Sequence, residues 1–149
     1  MKRLFALIIC FAAPAWAAMA LNPAVTQATI GSTNCIAGYT KTVRPPVAYT
    51  NKVKRQLMAK AGLLWSRASE LELDHRIALT IGGAPRSLDN LWLQSWEPAM
   101  AGWKGANSAK VKDKLEVRLN KLVCKGKLKL AEAQSCIYND WQACAKKHP

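Results

Sequence analysis

Asp74 and His75 stand side by side in the run Glu-Leu-Asp-His-Arg-Ile-Ala-Leu, a hard oxygen ligand next to an imidazole. Histidine is the side chain whose ordinary pKa lies close to neutrality, so it can take and return a proton at working pH. The chain has two histidines, and the other, His148, is the penultimate residue, where chain ends fray. Acid–base chemistry near neutral pH therefore falls to His75, and Asp74 is placed to hold a cation beside it.

Such a pair needs a frame. From Glu70 to Leu79 the sequence alternates with period two, Leu71, Leu73, His75, Ile77 and Leu79 on one side, which predicts a strand. Asp74 then faces away from His75 unless the strand bulges, and a bulge is expected at Asp74-His75. Gly82-Gly83 and Pro85 mark a wide loop, and Leu91-Trp92-Leu93 forms a second apolar run that pairs back antiparallel. A helix follows from Asn107 to Cys124, with Val111, Leu115, Leu119, Leu122 and Val123 as its buried stripe and Gly126 as its terminator. Thr50 or Asn51 is expected to cap an earlier helix running to Ala61. That helix has Val53, Leu57, Met58 and Ala61 on one face and ends at Gly62. Leu128 to Ala145 holds a last helix with Leu130, Ala133, Ile137 and Trp141 near one face.

The termini and composition set the compartment and the partner. Met1-Lys2-Arg3, an apolar stretch from Leu4 to Ala13 and small residues up to Ala20 read as a signal peptide over 1–20. An irregular arm follows over 21–48, closed by Pro45-Pro46, and one domain occupies 49–149. Secreted or periplasmic location is the expectation. Cys35, Cys124, Cys136 and Cys144 then form two disulfides. Of three connectivities, Cys35–Cys124 with Cys136–Cys144 is favoured, the second pair because it brackets the end of one helix. A structural zinc site is the competing reading, and it lacks any Cys-x-x-Cys pair. Removing Lys2 and Arg3 from 22 basic residues leaves 20 against 9 acidic ones, a charge of +11. Two basic blocks flank Asp74-His75, one from Lys41 to Arg67 and one from Lys104 to Lys121, as nucleic-acid phosphates would require. A solvated surface, or attraction to anionic lipid, is the bland alternative.

The order strand, loop, strand, helix, carrying Glu-Leu-Asp-His, Gly-Gly, Asn-Leu-Trp, Ala-Lys-Val-Lys-Asp-Lys-Leu-Glu, Val-Cys-Lys-Gly and Ala-Gln, resembles the HNH endonucleases of the ββα-metal class. The small bacterial HNH-like proteins are the group it is most similar to, and the resemblance covers Cys35 to Trp141. It implies an α+β fold with a hairpin-plus-helix core, flanking helices and disulfides. The implied activity is metal-dependent hydrolysis of DNA phosphodiesters, with RNA as a second substrate and little sequence preference. His75 would be the general base and Asp74 a ligand to a divalent cation, Mg²⁺ first, with Mn²⁺ and Zn²⁺ as alternatives. Asn90 matches the motif asparagine, whose implied role is to tie the loop and orient the histidine ring; a plain turn-stabilising Asn would look the same.

The chain departs from the family's pattern at the third position, because no histidine lies on the helix. Asn107 is the best match as second metal ligand. At about 100° per residue, Asn107, Lys110 and Lys114 lie on one flank of the apolar stripe and Asp113, Glu116 and Asn120 on the other. The first flank is favoured, since the helix start attracts phosphate, and Lys110 would then bind it. If the second flank faces the cation, Asp113 and Glu116 become ligands and Asn107 an N-cap. Arg76 and Arg86 are candidates for backbone phosphate contacts. Trp92, Trp96 and Trp103 serve either as core aromatics or as stacking surfaces for bases. A monomer is expected. The rival readings are a catalytically silent nucleic-acid binder and a secreted structural or interaction protein whose Asp-His is incidental.

Overall fold

The structure, a computed structural model, describes residues 18–97 and 108–149. Most of the expected leader, together with Trp103 and Asn107, lies outside the described residues. The architecture is α+β, with one two-stranded antiparallel sheet, helices around it and two disulfides.

The hairpin is built from β1 (Leu71–His75) and β2 (Leu91–Ser95), paired one to one from Leu71↔Ser95 to His75↔Leu91. No extra residue interrupts this register, so the expected bulge at Asp74-His75 is absent. The strand simply stops at His75. Ile77 and Leu79, expected to extend it, instead enter a loop whose short 3₁₀ turns span Leu79–Ile81 and Leu88–Asn90. Their period-two spacing imitates a strand, but Ile77 has its N–H and C=O occupied by the Asn90 side chain, at 2.8 and 3.0 Å, leaving no ladder to continue.

The apolar face of the hairpin packs on one helix, and a second, larger core forms beyond the strands. Leu71 and Leu93 join Met58 of α2 (Val47–Lys60) in a small core, with Leu57, Trp65 and Leu73 packed against it. The larger core gathers Val25 and Ile30 of the N-terminal arm and Ile77, Ala78 and Ile81 of the loop. Onto these pack α3 (Ala109–Cys124), through Leu115, Leu119 and Val123, and α4 (Leu130–Lys147), through Leu130, Ala133 and Ile137.

A loop running through a core must satisfy its own carbonyls. Amide side chains from several elements do this: Asn34 donates to Leu79 O, Asn120 to Thr80 O at 2.8 Å, Gln134 to Ile81 O at 2.9 Å, and Asn90 to Ala84 O at 3.0 Å.

α2 begins three residues before Thr50, because Pro46 takes the N-cap position and its carbonyl receives Tyr49 and Thr50 N–H. Thr50 and Asn51 thus lie inside the helix; the Thr50 hydroxyl bonds back to Val47 O. Val53 and Met58 are buried as expected, whereas Ala61 is exposed. Gly62, at φ 69°, adopts the left-handed conformation that ends the helix.

On α3, Val111 is exposed at 49%, and the inward position one residue on belongs to Lys112, at 1%. The arm holds a short α1 (Tyr39–Val43) and is pinned by Cys35–Cys124, while Leu21 bridges to Gly83. α4 breaks at Asp140 (φ −158°, ψ 91°). Eight residues of straight helix would separate Cys136 from Cys144 by about 12 Å; the break brings their Cα atoms to 5.4 Å, where the disulfide closes. Asp140 Oδ1 caps the second segment, accepting from Gln142 and Ala143 N–H. No described helix is long and apolar enough to cross a membrane.

Candidate active site at the end of the hairpin

His75 is the last residue of β1 and is 7% exposed. Its Nε2 lies 3.1 Å from Pro85 O. A carbonyl only accepts, so Nε2 carries the proton and Nδ1 keeps the lone pair of the neutral ring. Burial holds the imidazole below its ordinary pKa, Arg44 and Lys112 reinforce this by charge, and the Pro85 bond and Asp74 oppose it. The ring is thus kept in the form that accepts a proton. Asn90 acts on it at one remove: its amide binds Ile77 on both sides and Ala84 O, fixing the loop whose next carbonyl, Pro85 O, holds the imidazole. Gly83 permits the close approach this requires, since a Cβ there would sit 1.8 Å from Ile77 O.

Asp74, on the opposite face of β1, turns toward α3. Its Oδ1 accepts from His75 N–H at 2.6 Å, and its Oδ2 from Lys112 Nζ at 2.7 Å and Trp92 Nε1 at 3.4 Å. Lys112 Nζ also donates to His75 O at 2.7 Å and to Glu116. Burial alone would lower the lysine's pKa, but the charges and hydrogen bonds of Glu116 and Asp74 outweigh it and hold the ammonium above its usual value.

One ammonium stands among four carboxylates. A small cavity of about 70 Å³ is lined by Glu72, Asp74, His75, Asp113 and Glu116, with Arg44 and Thr80 in its wall. Burial pushes Glu72 up to about 7, with Asp74, Asp113 and Glu116 adding repulsion and Lys112 opposing. Glu116 is likewise pushed by burial to about 7, against the pull of Lys112. Burial and the charge of Asp74 raise Asp113. Two polar atoms in this wall, Glu72 Oε2 and Thr80 Oγ1, are buried without a hydrogen-bond partner among the described residues.

This donor set fits a hard divalent cation: oxygen ligands, excess negative charge and unspent acceptors. The carboxylates do not converge tightly. Among the described residues, the only three metal-ligating atoms within 4.8 Å of one another belong to Cys136, Cys144 and His148, whose two sulfurs are spent in a disulfide. A cation that retains part of its water shell, as Mg²⁺ does, suits the wider spacing.

Of the two flanks of α3, the one carrying Asp113 and Glu116 faces the cavity, contrary to the preference for Asn107, Lys110 and Lys114. The reason is Lys112, whose burial sets the rotation of the helix. Lys110 points to solvent and pairs with Glu97 at 2.6 Å, both more than 60% exposed. Asn107 falls outside the described residues, and Ser108 is the N-cap. Arg76 lies 5.2 Å over the Trp92 ring and Arg86 5.5 Å over Tyr49; neither lines the cavity. Trp96 faces a second, larger cleft. Glu72 and Arg44 were not singled out from the sequence as site residues. Glu72 could have been, since it shares the Asp74 side of a period-two strand.

Compared with family models, curated proteins and solved structures, the chain gives no match.

Proposed function

We propose that this chain is an exported, metal-dependent endonuclease of the ββα-metal (HNH) type, hydrolysing phosphodiester bonds of DNA, and of RNA as a second substrate. The observation that carries this reading is the place of His75, buried with its Nε2 3.1 Å from Pro85 O and lining a cavity walled by carboxylates. Nδ1 takes the proton of a water attacking phosphorus. Pro85 O fixes the ring's tautomer, and Asn90 fixes Pro85 through the loop.

Glu72, Asp113, Glu116 and the remaining acceptor capacity of Asp74 Oδ1 would hold the cation. Bound there, it would supply positive charge to a phosphate oxygen and to the departing one. Lys112 keeps Asp74 in place and neutralises part of the carboxylate charge. The hairpin followed by α3, the two disulfides and the basic surface support the same reading. A nucleic-acid binder without turnover is the competing reading, favoured by Lys112 taking up Asp74 Oδ2. Incubation of the mature chain with supercoiled plasmid and Mg²⁺ separates the two, since only the enzyme nicks it.

A further inference from the structure

Two cavities meet at β1. One is the acidic pocket; the other is an open cleft of about 360 Å³ between α2 and β1, with Thr50, Asn51, Ser69 and Trp96 in its wall. Arg44, Glu72, Leu73 and His75 line both, so the cleft and the acidic pocket share a wall that includes the proton-accepting ring and one of the carboxylates.

Arg44 is the exposed cation in that shared wall. It is the residue after α1, where the backbone is extended (ψ 130°) ahead of Pro45-Pro46, so the chain's course is fixed before α2 starts. Its side chain is exposed and makes no hydrogen bond or ion pair among the described residues, although Glu72 and Asp113 share its cavity. The other lysine or arginine lining the cleft, Lys54, is spent: its Nζ donates to Ala68 O and Leu71 O, both at 2.7 Å.

We propose that Arg44 binds the phosphate of a nucleic-acid strand at the junction of the two cavities, the adjoining nucleoside lying in the larger cleft. This rests on the nuclease reading. A guanidinium with its whole donor fork unspent matches the two non-bridging oxygens of a phosphodiester. The cleft volume lies within the ~300–1,000 Å³ of small-ligand sites, and Trp96 offers a ring against which a base can stack. The charge of Arg44 is felt by both His75 and Asp113, which places the guanidinium within electrostatic reach of the reacting groups from either side.

The test is fluorescence anisotropy with a short fluorescein-labelled single-stranded DNA, measured in EDTA and again in the His75→Ala background so that nothing is cut. Arg44→Met is expected to weaken binding about tenfold and to make the salt dependence shallower by roughly one phosphate. Arg44→Lys should recover part of the affinity but not the bidentate geometry. Lys147→Met, an equal loss of charge at the exposed C-terminal end of α4 and outside both basic blocks, is the control and should change binding by less than about twofold. Thermal unfolding of Arg44→Met should match the wild type, because the side chain is exposed. Equal losses in Arg44→Met and Lys147→Met overturn the proposal. Plasmid cleavage by the wild type is scored separately. Loss of binding in Arg44→Met without wild-type cleavage keeps the phosphate site and removes the nuclease; cleavage with unchanged Arg44→Met binding does the reverse.

Discussion

Lys112 Nζ lies 2.7 Å from Asp74 Oδ2, with its side chain 1% exposed, and so inserts a charged residue where the helical repeat calls for an apolar one. A buried ammonium is costly to desolvate, and it persists because Asp74, Glu116 and the His75 carbonyl all accept from it. The contact joins the helix to the strand carrying the proposed base. Fold and site share it.

Lys112→Met keeps the length of the side chain and removes the charge, leaving Asp74 and Glu116 buried without their counter-ion. The expected loss of stability is about 3–5 kcal/mol, read from urea unfolding in EDTA. A loss below about 1 kcal/mol would show that the lysine is not the cluster's counter-ion.

The carboxylates predict an unusual response to pH. In the fold Glu72 and Glu116 stand near 7, above their ordinary 4.5, so the native chain holds protons that the unfolded chain has released. Their stabilising contribution is complete below about 4.5 and disappears as pH rises through about 7. His75, held below its ordinary 6.5, acts oppositely and removes stability as pH falls below that value. Between pH 8 and 6.5 the carboxylates act largely alone. In EDTA the thermal midpoint should therefore rise as pH falls across this window, and added Mg²⁺ should raise it most at pH 8. A midpoint in EDTA that is flat or climbs toward pH 8 would contradict the cluster.

Gly83→Ala forces a Cβ to within 1.8 Å of Ile77 O and 2.8 Å of Asn90 Nδ2. Backbone must move, and with it the Pro85 carbonyl that holds the imidazole. The expected cost is about 2–4 kcal/mol together with loss of plasmid nicking. Unchanged stability would mean that the loop relaxes freely and that the Asn90 bracket does not hold it.

The legible parts were those in which one residue type carries one job. Asp74 and His75 stand out because each side chain has a narrow range of uses, and Asn90 through the motif it resembles. Gly62 and Gly126 ended their helices as read, at φ 69° and 67°. The four cysteines after the expected leader pair as read, and both expected disulfides are present.

Lys112 was not legible, since a burial stripe is traced through apolar residues and Val111, one position away, filled the pattern while facing solvent. With Lys112 inward, the flank of Asp113 and Glu116, the less favoured of the two on the sequence, is the one that lines the cavity. Ile77 and Leu79 imitated a continuing strand, because packing into a core from a loop and packing from a strand use the same residue types. Arg44 was one charge within a basic block, and only the meeting of two cavities singles it out.

The central claim is that His75 is the base of a metal-dependent phosphodiester hydrolysis. Its most direct measurement is the nicking of supercoiled plasmid by purified mature chain in Mg²⁺ at pH 7.5, compared with His75→Ala and with the wild type in EDTA. The expected result is nicking by the wild type that EDTA abolishes and that falls by about 10²-fold or more in His75→Ala. No nicking by a folded wild type in Mg²⁺ or Mn²⁺, or nicking that survives in His75→Ala, would contradict it.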